Sequence, residues 1–349
     1  MVTTIFFLSS GLFLGWSLGA NDAANVFGTA VGSRMIRFTT AAVICSIFLV
    51  LGAVISGAGA SHTLGKLGAI DTQAGAFIVA LSAAFTVYAM TRLKLPVSTS
   101  QAIVGSIIGW NLFSGVNTDL SVASKIALTW ILCPLLAMVF AIVLFFIAKF
   151  TLKRSRLHQF RIDSHIRLGL IIAGAFGSYS LGANNIANVM GVFVPTVPFK
   201  TFNVLDLFQF NSVHQLFLLG GISIAVGVFT YSKRVMMTVG NGIFSLSPIC
   251  ALVVVLSSSL VLFLFASQNL HQWLVSHHIP PIPLVPVSSS QAVVGAILGI
   301  GIAKGLGSVN FGILGKISAG WVATPIISAL ISFISLFFMQ NVFMQRVYQ

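Results

Sequence analysis

The sequence contains no glutamate, and the five acidic residues of its 349 are all aspartate. Charged residues of both signs make up only 7% of the chain, whereas ordinary soluble domains are about 25% charged. So few charges exclude a soluble globular fold. The chain also lacks a nucleophile elbow, a phosphate-binding loop, a zinc motif and a catalytic carboxylate pair. We therefore do not expect an enzyme.

Cysteine is scarce as well. Cys45, Cys133 and Cys250 lie in apolar segments and share no paired spacing, which favours buried free thiols over a disulfide or a metal site. Basic residues, in contrast, give a formal net charge of +13. Because they fall mostly in short loops between apolar runs, we attribute this charge to membrane topology and expect no nucleic-acid partner.

Apolar runs dominate what is present. The chain is 57% hydrophobic and its mean hydropathy is +1.03. Runs near 20 residues match the roughly 30 Å hydrocarbon core of a bilayer, so the sequence predicts an all-α polytopic membrane protein with about 10–12 membrane segments. The first run has no preceding basic region of the kind that marks a signal peptide, and we interpret it as a span of the mature chain.

Two motifs each occur twice, in the same order. LGANDAANVFGT (residues 18–29) returns as LGANNIANVMGV (residues 181–192), with eight of twelve positions identical. PVSTSQAIVGSIIG (residues 96–109) returns as PVSSSQAVVGAILG (residues 286–299), with ten of fourteen identical. The alternation of the two motifs indicates a duplicated unit. We divide the chain into a first repeat (1–148), a basic linker (149–166) and a second repeat (167–349).

The distribution of lysine and arginine predicts the orientation of the repeats. We expect crossings at about 4–32, 38–60, 74–91, 95–114 and 121–148, and at about 167–195, 212–231, 248–267, 286–303 and 315–338. With the N-terminus outside, 14 basic residues lie inside and 4 outside. An odd number of crossings per repeat inverts the second copy, as in secondary transporters. Both termini are then external, and the linker is cytoplasmic and close to membrane lipid. The segments around Pro96 and Pro286 could alternatively form helical hairpins.

The first motif places amides and a carboxylate inside an apolar run. Polar groups there must face protein, water or a ligand, because a centred charge costs about 2.5–3.5 kcal/mol on insertion scales. The flanking glycines predict an unwound stretch whose carbonyl oxygens, with the polar side chains, form a small-cation site. The alternative is hydrogen bonding between helices. The candidate cation ligands are Asn21, Asp22, Asn25, Asn184, Asn185 and Asn188.

The second motif is typical of a helix start, with proline in the first turn and serine or threonine as the cap. Free backbone N–H groups, hydroxyls and the positive end of the helix dipole form an anion site without any cation. The alternative is that these residues only cap broken helices. The candidate anion ligands are Ser98, Thr99, Ser100, Gln101, Ser288, Ser289, Ser290 and Gln291.

Together these motifs resemble the inorganic phosphate transporter (PiT) family. The match includes the GANDVANAFGT-type signature, the PVST-type segments of both halves, and residues 220–236. The resemblance implies inverted repeats with broken helices, a homodimer, and uptake of inorganic phosphate by symport with a cation. The asparagines and Asp22 would then serve the cation, sodium if the coupling is to sodium, and the two serine-rich segments would hold the anion.

Three positions depart from the family pattern, and each removes a negative charge. The second signature has Asn184-Asn185 instead of Asn-Asp, and Leu49 and Met237 stand where a glutamate is expected. Asp22 is left as the carboxylate within the membrane. Sodium and a proton therefore both remain candidates for the coupled cation, and no cofactor is expected.

The leading hypothesis is a secondary active transporter that imports phosphate with a cation by alternating access. A first alternative is a permease for sulfate or another tetrahedral oxyanion. A second is a passive anion channel. A third is a membrane enzyme that acts on a phosphate ester, for which the sequence offers no catalytic set.

Overall fold

The computed structural model describes residues 2–93, 97–154, 159–197, 199–204, 208–242, 246–305 and 311–348. Helices make up most of these ranges. They are α1 (Val2–Gly32), α2 (Phe38–Ser56), α3 (Ala58–Leu67), α4 (Gln73–Arg92), α5 (Thr99–Ser114), α6 (Leu120–Arg154), α7 (Gln159–Met190), α8 (Ser212–Thr230), α9 (Ser232–Gly242), α10 (Pro248–Ala266), α11 (Gln268–Ser276), α12 (Ser289–Ala303) and α13 (Phe311–Asn341).

Eight helices in the described ranges are long and apolar enough to cross a membrane: α1, α2, α4, α6, α7, α8, α10 and α13. Each exceeds 18 residues, close to the roughly 20 that a bilayer requires. The chain is therefore a multi-pass membrane protein, as its composition predicts.

Two further helices are too short to span. Helix α5 has 16 residues and α12 has 15, and each begins at the Ser/Thr run of a PVS motif. Residues 279–288, which form neither helix nor strand, precede α12, while Pro96 lies outside the described residues. The prediction of broken helices is confirmed at these two positions, and the crossings expected at 95–114 and 286–303 are half-length helices.

Helices of the two sequence repeats pack against each other in matched pairs. Gly19 of α1 lies against the carbonyl of Ile224 in α8, and its counterpart Gly182 of α7 lies against the carbonyl of Leu49 in α2. These contacts leave no room for a Cβ atom, so glycine at both signature positions permits the close backbone approach. The first helix of each repeat thus contacts the second helix of the other.

The half-length helices follow the same rule. Gly105 of α5 packs on the backbone of Pro325 within α13, and Gly295 of α12 packs on the backbone of Pro134 within α6. Each half-length helix is therefore held by the long last helix of the opposite repeat. This exchange interlocks the two halves.

Several segments differ from the sequence-based expectations or add to them. Residues 202–210 include an antiparallel hairpin of β1 (Phe202–Val204) and β2 (Phe208–Phe210), paired Phe202 to Phe210. The short helices α3, α9 and α11 were not expected from the sequence. Helices α6 and α7 continue into both ends of the predicted linker 149–166, of which 155–158 lie outside the described residues.

Candidate functional site

The first signature lies inside a continuous helix. Helix α1 runs without a break through Asn21 and Asp22, which are 6% and 2% exposed, and α7 likewise continues through Asn184 and Asn185 and ends only at Met190, near the end of the second signature. The expectation of an unwound stretch is therefore wrong in both helices. The signature glycines instead allow close packing, as at Gly19, and side chains rather than freed carbonyls provide the polar groups.

The two half-length helices begin with equivalent caps. The Ser98 hydroxyl accepts a hydrogen bond from the Gln101 backbone N–H at 3.3 Å, and the Ser288 hydroxyl accepts one from the Gln291 N–H at 3.2 Å. Both cap residues are extended and buried. Two positive helix ends thus begin inside the protein, where anions are favoured.

The two helix starts lie side by side and are linked reciprocally. The Ser100 hydroxyl donates to the carbonyl of Val287 at 3.0 Å, and the Ser290 hydroxyl donates to the carbonyl of Val97 at 3.0 Å. Each serine therefore binds the backbone that leads into the other half-length helix. The convergence expected for two duplicated motifs is present in this geometry.

Asparagines of the signatures join the same cluster. The Asn25 amide donates to the Ser289 hydroxyl at 3.0 Å, and the Asn188 amide donates to the Ser100 hydroxyl at 2.9 Å. Of the fourteen candidate ligands, Asn25 is half-buried and the others are buried. The residues assigned to a cation and those assigned to an anion thus form one continuous network rather than two separate sites.

The surroundings of Asp22 and of its counterpart Asn185 differ. The Asp22 carboxylate accepts a hydrogen bond from the Asn21 amide at 2.8 Å, and Thr99 and Ser289 also face it. The side-chain oxygen Oδ1 of Asn185 accepts a hydrogen bond from the side-chain amide of Asn188 at 2.9 Å. The equivalent position in the two repeats is therefore charged in one and neutral in the other.

Asn184 and Asn21 hold the chain before the half-length helices. Asn184 donates to the carbonyl of Val285 at 3.1 Å and accepts from the Val287 N–H at 2.8 Å. Asn21 makes a longer bond, 3.4 Å, to the carbonyl of Val97. The first asparagine of each signature thus positions the segment that leads into a helix start, a structural role that the sequence motif did not reveal.

Several polar atoms of this network are buried and have no hydrogen-bond partner among the described residues. They are Gln101 Oε1, Asn185 Nδ2, Asn188 Oδ1 and Gln291 Oε1. Leaving such an atom unsatisfied costs about 1–3 kcal/mol, and a polar ligand at this cluster would remove that cost. Both hydrogen-bond donors and acceptors are available, which suits an anion accompanied by a cation.

The polar network contains no positively charged side chain of the described residues. Every lysine and arginine among the described residues is exposed, so none lies in the network. The described residues also contain no group of three His, Cys, Asp or Glu side chains that could hold a metal ion. Carboxylate, amide and hydroxyl oxygens remain, and these suit a hard cation such as sodium.

Comparison with known proteins identifies the family. The sequence model described as the phosphate transporter family matches residues 18–332, with a second match over 281–348. The chain belongs to this family.

Similar proteins include permeases named for phosphate and one named for sulfate. A candidate phosphate permease of Methanocaldococcus jannaschii is 29% identical over 322 residues, covering 92% of this chain and 93% of the relative. A sulfate permease of Bacillus subtilis is 29% identical over 341 residues, covering 93% and 84%. A solved structure described as a sodium-dependent phosphate transporter matches with a TM-score of 0.74 at 24% identity, over 97% of this chain and 100% of that one, and shows the shared fold.

The two positions at which the sequence lacks an expected glutamate carry apolar side chains. Leu49 of this transporter is fully buried and its carbonyl packs on Gly182, whereas Met237 is 39% exposed on α9. Neither contributes a polar group to the site. Among the departures, only Asn185 therefore changes the charge within the network itself.

The packing of Pro134 and Cys133 beside the site was not expected from the sequence. The Cys133 thiol lies 3.5 Å from the backbone carbonyl of Ser288. The next residue, Pro134, is the proline on which Gly295 packs. The sequence contains one indication of this packing, a pair of prolines at matching places in the last helix of each repeat, Pro134 and Pro325. Both support a half-length helix from outside the network.

Proposed function

We propose that this protein imports inorganic phosphate across the membrane by symport with a cation, sodium or a proton. The observation that carries the proposal is the meeting of two capped helix starts with Asp22 in a buried network that retains unsatisfied donors and acceptors. The anion binds at the two helix starts, and the cation binds at Asp22 and the signature asparagines.

Charge balance supports the coupling. A doubly charged phosphate that enters a buried site requires compensating positive charge, because desolvation of an unpaired charge is costly. No lysine or arginine of the described residues lies there, so the co-transported cation supplies it. Occupancy by the anion and by the cation then depend on each other.

The matched packing of the repeats supports alternating access. If the second repeat is inverted, as the odd number of crossings predicts, the site lies at the interface of two copies that move relative to one another. The paired contacts of Gly19 and Gly182, and of Gly105 and Gly295, fit such a two-fold relation. We extend the proposal to a homodimer, which rests on the family resemblance.

The proposed topology places both termini outside and the region around Lys153 in the cytoplasm. It rests on the ratio of 14 basic residues inside to 4 outside. A Lys153→Cys variant in intact cells should react with a membrane-impermeant maleimide only after the membrane is opened. Labelling from outside would reverse the assignment.

Sulfate is a second candidate solute, because a sulfate permease is as similar in sequence as a phosphate permease. Competition for binding of labelled phosphate to the purified protein decides between them. Unlabelled phosphate should displace the label at a lower concentration than sulfate or nitrate does. Stronger displacement by sulfate would assign the alternative solute and refute the proposed one.

A further inference from the structure

A basic cavity lies at one end of the helix bundle, away from the polar network. It has a volume of about 350 Å³ and lies where the end of α6, the start of α10 and the end of α12 meet. This volume is in the range of sites for small ligands. Three ammonium groups line it, from Lys149 and Lys153 of α6 and from Lys304 after α12.

No carboxylate of the described residues neutralises the cations of this cavity. No ion pair joins Lys149, Lys153 or Lys304 to an acidic residue among the described residues, and all three are exposed. Lys149 and Lys153 are four residues apart and therefore lie on one face of α6. Lys304 comes from the other repeat, and its ammonium lies 5.8 Å from the ring centre of Phe145, which also lines the cavity.

The start of α10 adds backbone donors. Ser247 is the cap residue and Pro248 begins the helix, but the Ser247 side chain makes no capping hydrogen bond. The first N–H groups of an α-helix have no partner within the helix, and those of Ile249 and Cys250 have none among the described residues and lie at the cavity. A group with several oxygen atoms satisfies both these donors and the lysines.

The equivalent place in the first repeat already holds an oxygen atom. Helix α4 corresponds to α10, since each precedes a half-length helix and packs against a signature helix. At the first turn of α4, the carbonyl of Val347 lies against Gly75 and accepts a hydrogen bond from the Trp110 ring N–H at 2.9 Å. At the first turn of α10, the described residues around the cavity include no such carbonyl oxygen, and the three lysines lie there.

We propose that this cavity binds the phosphodiester headgroup of an anionic phospholipid. The floor of the cavity is apolar, formed by Phe145, Leu152 and Ile249. Phe146 and Phe150 of α6 are exposed, and only 17% of the most apolar 18-residue stretch of this helix is buried. A headgroup in the cavity therefore continues into acyl chains along α6, as in other basic pockets between membrane helices. A free phosphate ion shares the headgroup chemistry but leaves the apolar floor unused.

The test measures binding of phosphatidylglycerol carrying a fluorescent acyl chain to the purified full chain in detergent. Phosphatidylcholine of the same chain length is the neutral comparison. A lysine near a phosphate contributes roughly a fivefold factor in affinity. We expect Lys153→Gln to weaken phosphatidylglycerol binding about fivefold, and the triple variant of Lys149, Lys153 and Lys304 to weaken it roughly a hundredfold.

Two matched variants separate this site from general charge effects. Lys125→Gln removes an exposed cation from the opposite end of α6 and should bind the lipid like the wild type. Lys153→Arg should retain binding, which shows that loss in Lys153→Gln comes from the charge and not from misfolding. Equal losses in Lys125→Gln and Lys153→Gln, or equal affinity for the two lipids, would overturn the proposal.

Soluble competitors identify the source of the phosphate group. Inorganic phosphate and glycerol 3-phosphate should displace the labelled lipid only at much higher concentration than unlabelled phosphatidylglycerol does. Displacement by inorganic phosphate at equal concentration would assign the cavity to the free ion and contradict a lipid site.

Discussion

Replacement of Asp22 by asparagine tests the role of the buried carboxylate. The change removes one charge while it keeps size and hydrogen-bonding capacity. The second repeat shows that a neutral amide is accommodated at this position, because Asn185 is buried there and accepts a hydrogen bond from Asn188. We therefore expect Asp22→Asn to fold and to reach the membrane at wild-type levels.

The expected loss in cation affinity is large. Asp22 is 2% exposed, and two unit charges about 4 Å apart interact by about 4 kcal/mol at an effective dielectric constant of 20. Removal of the carboxylate should therefore weaken binding of a contacting cation by roughly a thousandfold. Because phosphate relies on that cation for charge balance, uphill phosphate uptake should be abolished.

The assay is accumulation of labelled phosphate in proteoliposomes under an imposed sodium or proton gradient. Asp119→Asn is the matched control, since Asp119 is exposed at the start of α6 and asparagine also caps helices well. In the wild type, phosphate binding that strengthens with sodium at fixed pH assigns sodium to Asp22. Binding that follows pH and ignores sodium assigns a proton. Concentrative uptake by Asp22→Asn at the wild-type rate would refute a coupling role for this carboxylate.

Three further substitutions test the network and its support. Ser288→Ala should lower anion affinity by roughly 10- to 150-fold in a binding assay, because a hydrogen bond to a charged group is worth about 1.5–3 kcal/mol. Unchanged affinity would mean that Ser288 only caps α12. Ser290→Ala removes a hydrogen bond between the repeats and should lower the unfolding temperature of the purified protein more than Ser257→Ala does. Ser257 is the matched control, because its buried hydroxyl bonds within its own helix. Equal unfolding temperatures of the two variants would contradict this. Gly295→Ala should cost about 1–3 kcal/mol of stability because its new methyl group meets the backbone of α6. Gly315→Ala has open space within α13 and should stabilise the protein by up to about 1 kcal/mol, because alanine favours the helix over glycine. A Gly295→Ala variant as stable as the Gly315→Ala control would show that this contact is loose.

The sequence predicted the membrane class and the positions at which helices α5 and α12 begin, although it assigned them full crossings rather than half-length helices. These follow from short-range physics, since apolar length fixes spans and a Pro-Val-Ser-Ser/Thr-Ser pattern fixes a helix start. Whether the fourteen candidate residues bind ions is still a prediction. The structure adds that they lie together, with Ser100 and Ser290 bonded across the repeats.

The remaining features depend on contacts between distant parts of the chain. The glycines of the signature suggested an unwound helix, but Gly19 is required by the backbone of Ile224, more than 200 positions away in the sequence. The same limitation applies to Pro134, whose partner Gly295 lies in the other repeat. A local pattern identifies a glycine as unusual, and only the tertiary packing shows whether it serves flexibility or close approach.

The central claim is that a cation gradient drives phosphate through this protein. The most direct measurement uses wild-type proteoliposomes with equal labelled phosphate inside and outside and an inward gradient of sodium or of protons. We predict that one of the two gradients raises internal phosphate above the external concentration. A protein that equilibrates phosphate down its own gradient, but accumulates none under either cation gradient, would be a passive channel and would contradict the account.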